Sequence, residues 1–216
     1  MFLIDMFNKK TTMPTGQSAL PGREQAIATA ENHFVSGRPL KGPFPQDCKT
    51  VFFGMGNFWG PERLLWQVPG VFVTAAGYMG GITPNPTHQE TVTGLTGHAQ
   101  VVMTVFDPQE VFLEALLKLF FEAHDPTQGM RQGNDIGTAY RSAIYMSDDA
   151  DLAVARRMRD GYQAALAAAG RSGKITTEIA SAKPFFYAED YHQQYLAKNP
   201  GGTSSMRGTG VVCPSG

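Results

Sequence analysis

Short apolar runs bounded by Gly, Pro and Asp alternate along the chain with stripes of apolar residues at helical spacing. The runs predict buried strands, and the stripes predict helices packed on them. The predicted strands cover residues 50–55, 71–78, 97–106, 142–146 and 175–180, and the predicted helices cover residues 61–67, 112–120, 149–169 and 187–196. Several connections are too short for parallel crossovers, so the pattern predicts a two-layer α/β sandwich with a central mixed sheet.

The chain divides into three predicted parts. Residues 1–46 contain scattered Pro and Gly, so we expect an N-terminal arm that wraps the domain. Residues 47–198 hold the predicted strands and helices, and residues 199–216 are rich in Gly, Ser and Thr, which predicts a mobile tail. With 216 residues, of which 42% are hydrophobic, the chain is long enough to bury a full core.

The formal net charge limits the classes of partner that we expect. The formal net charge is −1 and no run of Lys and Arg occurs, so binding to nucleic acid or to an anionic membrane has no electrostatic source. The apolar opening of residues 1–7 is too short, and Asp5 interrupts it too early, for a signal segment or a membrane span. We therefore expect a cytoplasmic monomer with no membrane or nucleic-acid partner.

The cysteines and histidines show no metal-binding pattern. Cys48 precedes the first predicted strand and Cys213 lies near the C-terminus, which matches neither a disulfide framework nor a metal site. His98, His124 and His192 also lack ligand spacing, so we interpret them as structural histidines. No metal and no cofactor are predicted.

The junction between the first strand and the first helix is the strongest candidate site. Asn57, Phe58 and Trp59 stand where the first unpaired N–H groups of a helix favour an anion or a substrate oxygen. Taken alone, Asn57 is more simply a helix cap or turn residue and both aromatic residues are core. A long irregular segment at 124–141 adds to the case for a site, because such loops are unusual in compact domains unless they build one.

Over nearly its whole length the chain resembles the A-type peptide methionine sulfoxide reductases. The motifs that carry the resemblance are Phe58-Trp59-Gly60, Gly77-Tyr78-Met79-Gly80-Gly81, Thr83-Pro84-Asn85-Pro86-Thr87, Thr96-Gly97-His98-Ala99, His124-Asp125-Pro126-Thr127-Gln128, Arg131-Gln132-Gly133-Asn134-Asp135-Ile136-Gly137-Thr138, Tyr140-Arg141-Ser142 and Tyr191-His192-Gln193-Gln194-Tyr195. The resemblance implies the family's α/β sandwich, with a substrate basin built from these loops.

The reacting positions depart from the family's pattern. The resemblance implies a cysteine between Gly56 and Phe58, whose thiolate attacks the sulfoxide sulfur, but Asn57 stands there and an amide is not a useful nucleophile. The family's acid follows Gly-His-Ala, where Gln100 can donate a hydrogen bond but cannot act as a general acid near neutral pH. The usual tyrosine after Pro-Thr is His88, which can donate and can titrate near neutrality.

Other parts of the family's machinery are retained or replaced. Tyr140 and Asp135 match a tyrosine and an acid of the family, whereas Ser204 stands at its resolving thiol and Cys213 matches its recycling thiol. Because several linked positions differ together, we interpret the chain as a naturally divergent member without the catalytic cysteine, the acid glutamate and the resolving cysteine. Thioredoxin is therefore not expected as a partner.

The leading hypothesis is a pocket repurposed for a non-redox reaction on a small-molecule or peptide substrate, such as the tailoring of a specialised metabolite. Phe58 and Trp59 would hold an apolar group, while Asn57, Gln100 and Tyr140 bind an oxygen. The predicted catalytic residues are Asp135, Tyr140 and His88, and the predicted substrate-binding residues are Asn57, Phe58, Trp59 and Gln100. For Asp135 a loop-organising role, and for His88 an exposed turn position, are the structural alternatives.

Two other functions stay open. The first is a non-catalytic protein that binds methionine sulfoxide or a related methyl-bearing group, which predicts saturable binding without turnover. The second is ordinary peptide-methionine (S)-S-oxide reductase activity, which the family name suggests. We place it last because Cys48 and Cys213 lie outside the nucleophile position, and conventional thiol-dependent reduction is predicted to be absent.

Overall fold

Six strands form the central sheet in the computed structural model, which describes residues 10–214. In chain order the strands are β1 (Lys49–Met55), β2 (Val71–Met79), β3 (Ala99–Phe106), β4 (Arg131–Gln132), β5 (Asp135–Ile136), β6 (Ser142–Met146), β7 (Glu178–Ser181) and β8 (Phe186–Tyr187). The helices are α1 (Trp59–Trp66), α2 (His88–Thr91), α3 (Leu113–Ala123), α4 (Asp149–Ala168) and α5 (Tyr195–Lys198).

The sheet is mixed, with the strand order β7-β6-β1-β3-β2-β8, and β4 and β5 pair separately as a small hairpin. All neighbours in the large sheet are antiparallel except β6 and β7, which are parallel. Helix α4 forms the crossover between the parallel neighbours β6 and β7, and α3 lies in the connection from β3 to the far side of β1. The predicted α/β sandwich with a central mixed sheet is confirmed.

Strand β3 lies at the centre of the sheet, and all eight of its residues are buried. On one face, Phe53 of β1 stacks on Phe120 of α3 with ring centroids 5.2 Å apart. On the other face, Leu40 from the arm is fully buried against Val73 and Val105. Both faces are therefore covered, one by helices and the other by residues of the N-terminal segment.

The N-terminal segment is held to the domain by specific contacts. The Arg23 guanidinium bonds the Glu90 carboxylate and the Asn85 carbonyl oxygen, and His33 Nε2 lies 3.1 Å from Thr74 Oγ1. The boundaries of arm, domain and tail stay a prediction. Residues 1–7, for which the sequence predicts no signal or membrane segment, lie outside the described residues.

The prediction of a helix over residues 187–196 is wrong. Residues 186–187 pair with β2 as an edge strand, and only short helical turns follow, at Asp190–His192 and Tyr195–Lys198. The Gln193 side chain bonds both the N–H and the carbonyl oxygen of Ala76, and Gln194 has a left-handed backbone with φ 48°. These tertiary hydrogen bonds override the local helical preference.

The C-terminal segment packs on helix α4. Tyr162 Oη lies 2.6 Å from Thr209 Oγ1, and Cys213 is buried. The mobility of residues 199–216 stays a prediction, as does the cytoplasmic location. Among residues 10–214, no helix is long and apolar enough to cross a bilayer.

Candidate active site

A tight turn joins β1 to α1 and positions the candidate site. Gly56 has φ 91°, and a Cβ atom there would lie 2.6 Å from Gln132 Cβ, so only glycine fits. The next residue, Asn57, accepts a hydrogen bond at Oδ1 from the Trp59 N–H at 3.0 Å. Because Phe58 is the N-cap of α1, this bond to the N–H two residues on is an Asx-turn contact, which fits the interpretation of Asn57 as a turn residue.

Aromatic rings form one wall of the site. Phe58 is 1% exposed and packs on the rings of Tyr78 and His192, with centroids 5.8 and 5.2 Å away. Trp59 stacks on Tyr195 with centroids 4.0 Å apart, and its indole N–H donates to His192 Nδ1 at 3.0 Å. Contacts on two sides fix the Trp59 ring, so the wall is formed before any ligand binds.

The buried amide of Gln100 links the turn to His88. Its Oε1 accepts a hydrogen bond from the Phe58 N–H at 3.2 Å, and its Nε2 lies 3.3 Å from His88 Nε2. Since Nε2 of an amide only donates, His88 Nε2 is the acceptor, and the neutral imidazole carries its proton on Nδ1. Burial lowers the pKa of His88, with the nearby Glu189 acting in the opposite direction, which favours the neutral ring at pH 7.

Tyr140 and Asp135 lie on the other side of the amide. Burial, and then the charge of Asp135, raise the pKa of Tyr140 to about 12, although a hydrogen bond with Gln100 acts in the opposite direction. Tyr140 therefore stays a phenol and a hydrogen-bond donor at neutral pH. The Asp135 carboxylate accepts a hydrogen bond from the Ser205 hydroxyl of the tail. Hydrogen bonds thus connect Gln100 to Phe58, His88 and Tyr140, whereas Asp135 acts on Tyr140 through its charge.

Two polar groups of the site were missed by sequence reasoning. Glu189 accepts hydrogen bonds from the His88 N–H and from the Tyr78 hydroxyl, both at 2.8 Å. His192 binds the Trp59 indole. Both residues lie in or beside the motif at 191–195, but only contacts between residues about a hundred positions apart in sequence reveal what their side chains touch.

The thiols lie elsewhere. Cys213 is buried with its Sγ 3.6 Å from the Pro214 carbonyl oxygen, and burial raises the pKa of its thiol to about 11. Cys48 lines a separate surface cavity of about 340 Å³. Ser204 touches the first turn of α1, because a Cβ on Gly60 would lie 2.1 Å from its Oγ. Within residues 10–214, no three His, Cys, Asp or Glu side chains are grouped to hold a metal ion.

Comparison with known proteins decides the family. The family model described as peptide methionine sulfoxide reductase matches residues 49–211. The chain belongs to this family. It is 66% identical over 216 residues to peptide methionine sulfoxide reductase MsrA 1 of Rhizobium meliloti, covering all of both chains. It is 62% identical to the Agrobacterium fabrum reductase, again over all of both chains.

A solved structure supports the same assignment. Methionine sulfoxide reductase A of Corynebacterium diphtheriae is 43% identical, with a TM-score of 0.84, and the match covers 95% of this chain and 99% of that one. The prediction of a pocket repurposed for a non-redox reaction is therefore corrected. Identities of 62–66% over the whole chain support the ordinary reductase activity of the family. Among the three candidate functions, this activity had been ranked last because Cys48 and Cys213 lie outside the nucleophile position.

Proposed function

We propose that this chain binds methionine sulfoxide in peptides and reduces it to methionine, the activity for which its relatives are named. The observation that carries the proposal is the 66% identity over all 216 residues. A preformed pocket of aromatic, amide and phenol groups supports it, because a sulfoxide offers a methyl group and one strong hydrogen-bond acceptor. The proposed substrate is thus an exposed oxidised methionine.

Each part of that substrate has a proposed binding partner. The faces of Phe58 and Trp59 suit the S-methyl group, since both rings are held rigidly. The phenol of Tyr140 is proposed as a donor for the sulfoxide oxygen, and the Gln100 amide, which bonds both His88 and Tyr140, orients these two groups. Burial lowers the pKa of His88 and favours its neutral ring, so His88 is proposed to pass a proton from solvent to the oxygen as the S–O bond breaks.

The two electrons must come from a thiol, and Asn57 cannot supply them. We propose a small dithiol in solution as the reductant. One thiolate attacks the sulfoxide sulfur, the oxygen leaves as water after gaining two protons, and the second thiol closes a disulfide and releases methionine. The absence of thioredoxin as a partner stays a prediction. It rests on Ser204, which stands where the tail would otherwise offer a thiol.

The direct test is reduction of N-acetyl-methionine sulfoxide methyl amide by dithiothreitol, followed by chromatography of the thioether product. We expect product in proportion to the amount of protein, with substantial loss in Tyr140→Phe. Cys48→Ser should react as fast as the parent, since Cys48 lies in a different cavity. A parent rate equal to that without protein contradicts reductase activity.

Binding without turnover is the second candidate function, and Asn57 is the observation that favours it. Its Oδ1 already accepts a hydrogen bond from the Trp59 N–H, so this divergent family member would hold the sulfoxide beside an unreactive amide. Calorimetry should then show saturable binding of the same sulfoxide while the dithiothreitol assay shows no product. Asn57→Cys combined with Gln100→Glu should create turnover, and failure of the parent to bind the sulfoxide contradicts this candidate.

A further inference from the structure

The histidines of this chain differ in how completely their rings are bonded. His98 and His124 are buried, and each has a partner for both ring nitrogens: Gly81 N–H and Thr83 O for His98, and Phe120 O and Ser142 Oγ for His124. His192 is 2% exposed but has one partner only. Its Nε2 is the one buried side-chain nitrogen in the described part of the chain without a hydrogen bond.

The bonded nitrogen fixes the character of the free one. The Trp59 indole is only a donor, so His192 Nδ1 must accept its N–H. Burial is the larger cause, and the nearby His88 the smaller one, that lower the pKa of His192 to about 4, which keeps the ring neutral at pH 7. A neutral imidazole with an unprotonated Nδ1 carries its proton on Nε2. His192 therefore presents a buried N–H donor with no acceptor.

The position of this donor points to a ligand. The His192 ring lies 4.3 Å from that of His88 and 5.2 Å from that of Phe58, measured between centroids, so it belongs to the wall of the candidate active site. Leaving a buried N–H unpaired costs about 1–3 kcal/mol. An acceptor brought by a bound molecule removes that cost. The structural role that the sequence predicts for His192 explains the Trp59 contact but not the free N–H.

We infer that His192 Nε2–H is a donor for the sulfoxide oxygen of the bound substrate and that it selects the sulfoxide over the thioether product. The inference rests on the proposed function. A sulfoxide oxygen is a strong acceptor, whereas a thioether sulfur is a weak one. The same donor that holds the sulfoxide thus gains nothing from methionine, which favours release of the product once the oxygen has left.

The test compares two probes that differ in one oxygen. Binding of N-acetyl-methionine sulfoxide methyl amide and of N-acetyl-methionine methyl amide is measured by calorimetry for the parent and for His192→Phe. We expect His192→Phe to lose roughly 10- to 100-fold in sulfoxide affinity and to change thioether affinity less than threefold. His124→Phe, the same substitution at a buried histidine with both nitrogens bonded, should keep the parent's ratio of affinities.

A second measurement needs no variant at the site. In the parent labelled with ¹⁵N-histidine, the His192 Nε2–H proton resonance should move downfield when the sulfoxide binds and stay in place when the thioether binds. A parent that binds neither probe overturns both the proposed function and this inference. A parent that prefers the sulfoxide, with an unchanged preference in His192→Phe or an unshifted Nε2–H, overturns the inference alone.

Discussion

The same face of strand β3 builds two opposite environments. Val102 lies in the apolar core with Phe53 and Phe120, while Gln100, two residues earlier, bonds the Phe58 N–H and His88. Alternation places Val102 and Gln100 on one face. Around Val102 this face packs against aromatic core residues, and the nearby Thr104 hydroxyl is buried without a partner; the end near α1 instead buries ring and amide nitrogens, of which His192 Nε2 lacks a partner. The first end stabilises the fold, and the second is arranged for binding.

Truncation in the apolar end should give the largest loss of stability. Phe120 is fully buried and touches both Phe53 and Phe121, so Phe120→Ala leaves a cavity. The free energy of unfolding in urea should fall by about 3–5 kcal/mol. The ratio of sulfoxide to thioether affinity should not change. A loss below about 1 kcal/mol would show that this end is not the tightly packed core.

A fall in pH should lower the free energy of unfolding through the buried histidines. Burial lowers the pKa of His124 to about 4 from its usual 6.5, so the unfolded chain takes up the proton first as the pH falls. The stability contributed by the neutral ring is complete above pH 6.5 and is lost as the pH falls to about 4. It amounts to at most about 3 kcal/mol.

His124→Phe should therefore flatten the fall of the unfolding free energy between pH 6.5 and 4. Glu62 acts with the opposite sign, because burial raises its pKa to about 7 and its protonated form favours the folded state as the pH drops. Urea titrations of parent and variant at each pH cancel that common contribution. Parallel curves for the two proteins would contradict the assignment.

At the end of the β3 face near α1, the stacking of Tyr195 on Trp59 should strengthen the binding of the sulfoxide. Tyr195→Leu removes a ring that lies 4.0 Å from the indole, so Trp59 is held on one side only. We expect sulfoxide affinity to fall by about 0.5–1.5 kcal/mol, or roughly 2- to 12-fold. Calorimetry measures the change, and an unaltered affinity would mean that the His192 bond alone holds the indole.

A surface pair provides the smallest effect and a control for both ends. Lys49 and Asp151 form an ion pair of 2.9 Å with Lys49 substantially exposed. Such pairs contribute less than about 1 kcal/mol. Lys49→Met should shift the urea midpoint only slightly and leave ligand affinity unchanged. A loss comparable with that of Phe120→Ala would remove the distinction between core and surface.

Local pattern predicted most of the sheet. The strand expected at 142–146 has those bounds, and the strand expected at 71–78 ends one residue later, since long apolar runs bounded by turn residues leave few alternatives. The helix expected at 187–196 failed because Gln193 and Gln194 bond distant groups, Ala76 and Glu62. Periodicity carries no information about such partners.

The candidate site was predictable as a set of residues but not as a network. Loop motifs pointed to Asn57, Phe58, Gln100 and His88, and the last three are in direct contact; the roles of all the candidate residues stay predictions. The contribution of His192 depends on an indole 133 positions earlier in the chain. Only the folded arrangement distinguishes its free nitrogen from the fully bonded rings of the structural histidines.

Turnover of N-acetyl-methionine sulfoxide methyl amide in the presence of dithiothreitol decides whether this chain is a reductase. We expect N-acetyl-methionine methyl amide to form in proportion to protein concentration, with one oxidised dithiothreitol for each product molecule. A rate no higher than that of dithiothreitol alone, in a sample that remains folded, would contradict it.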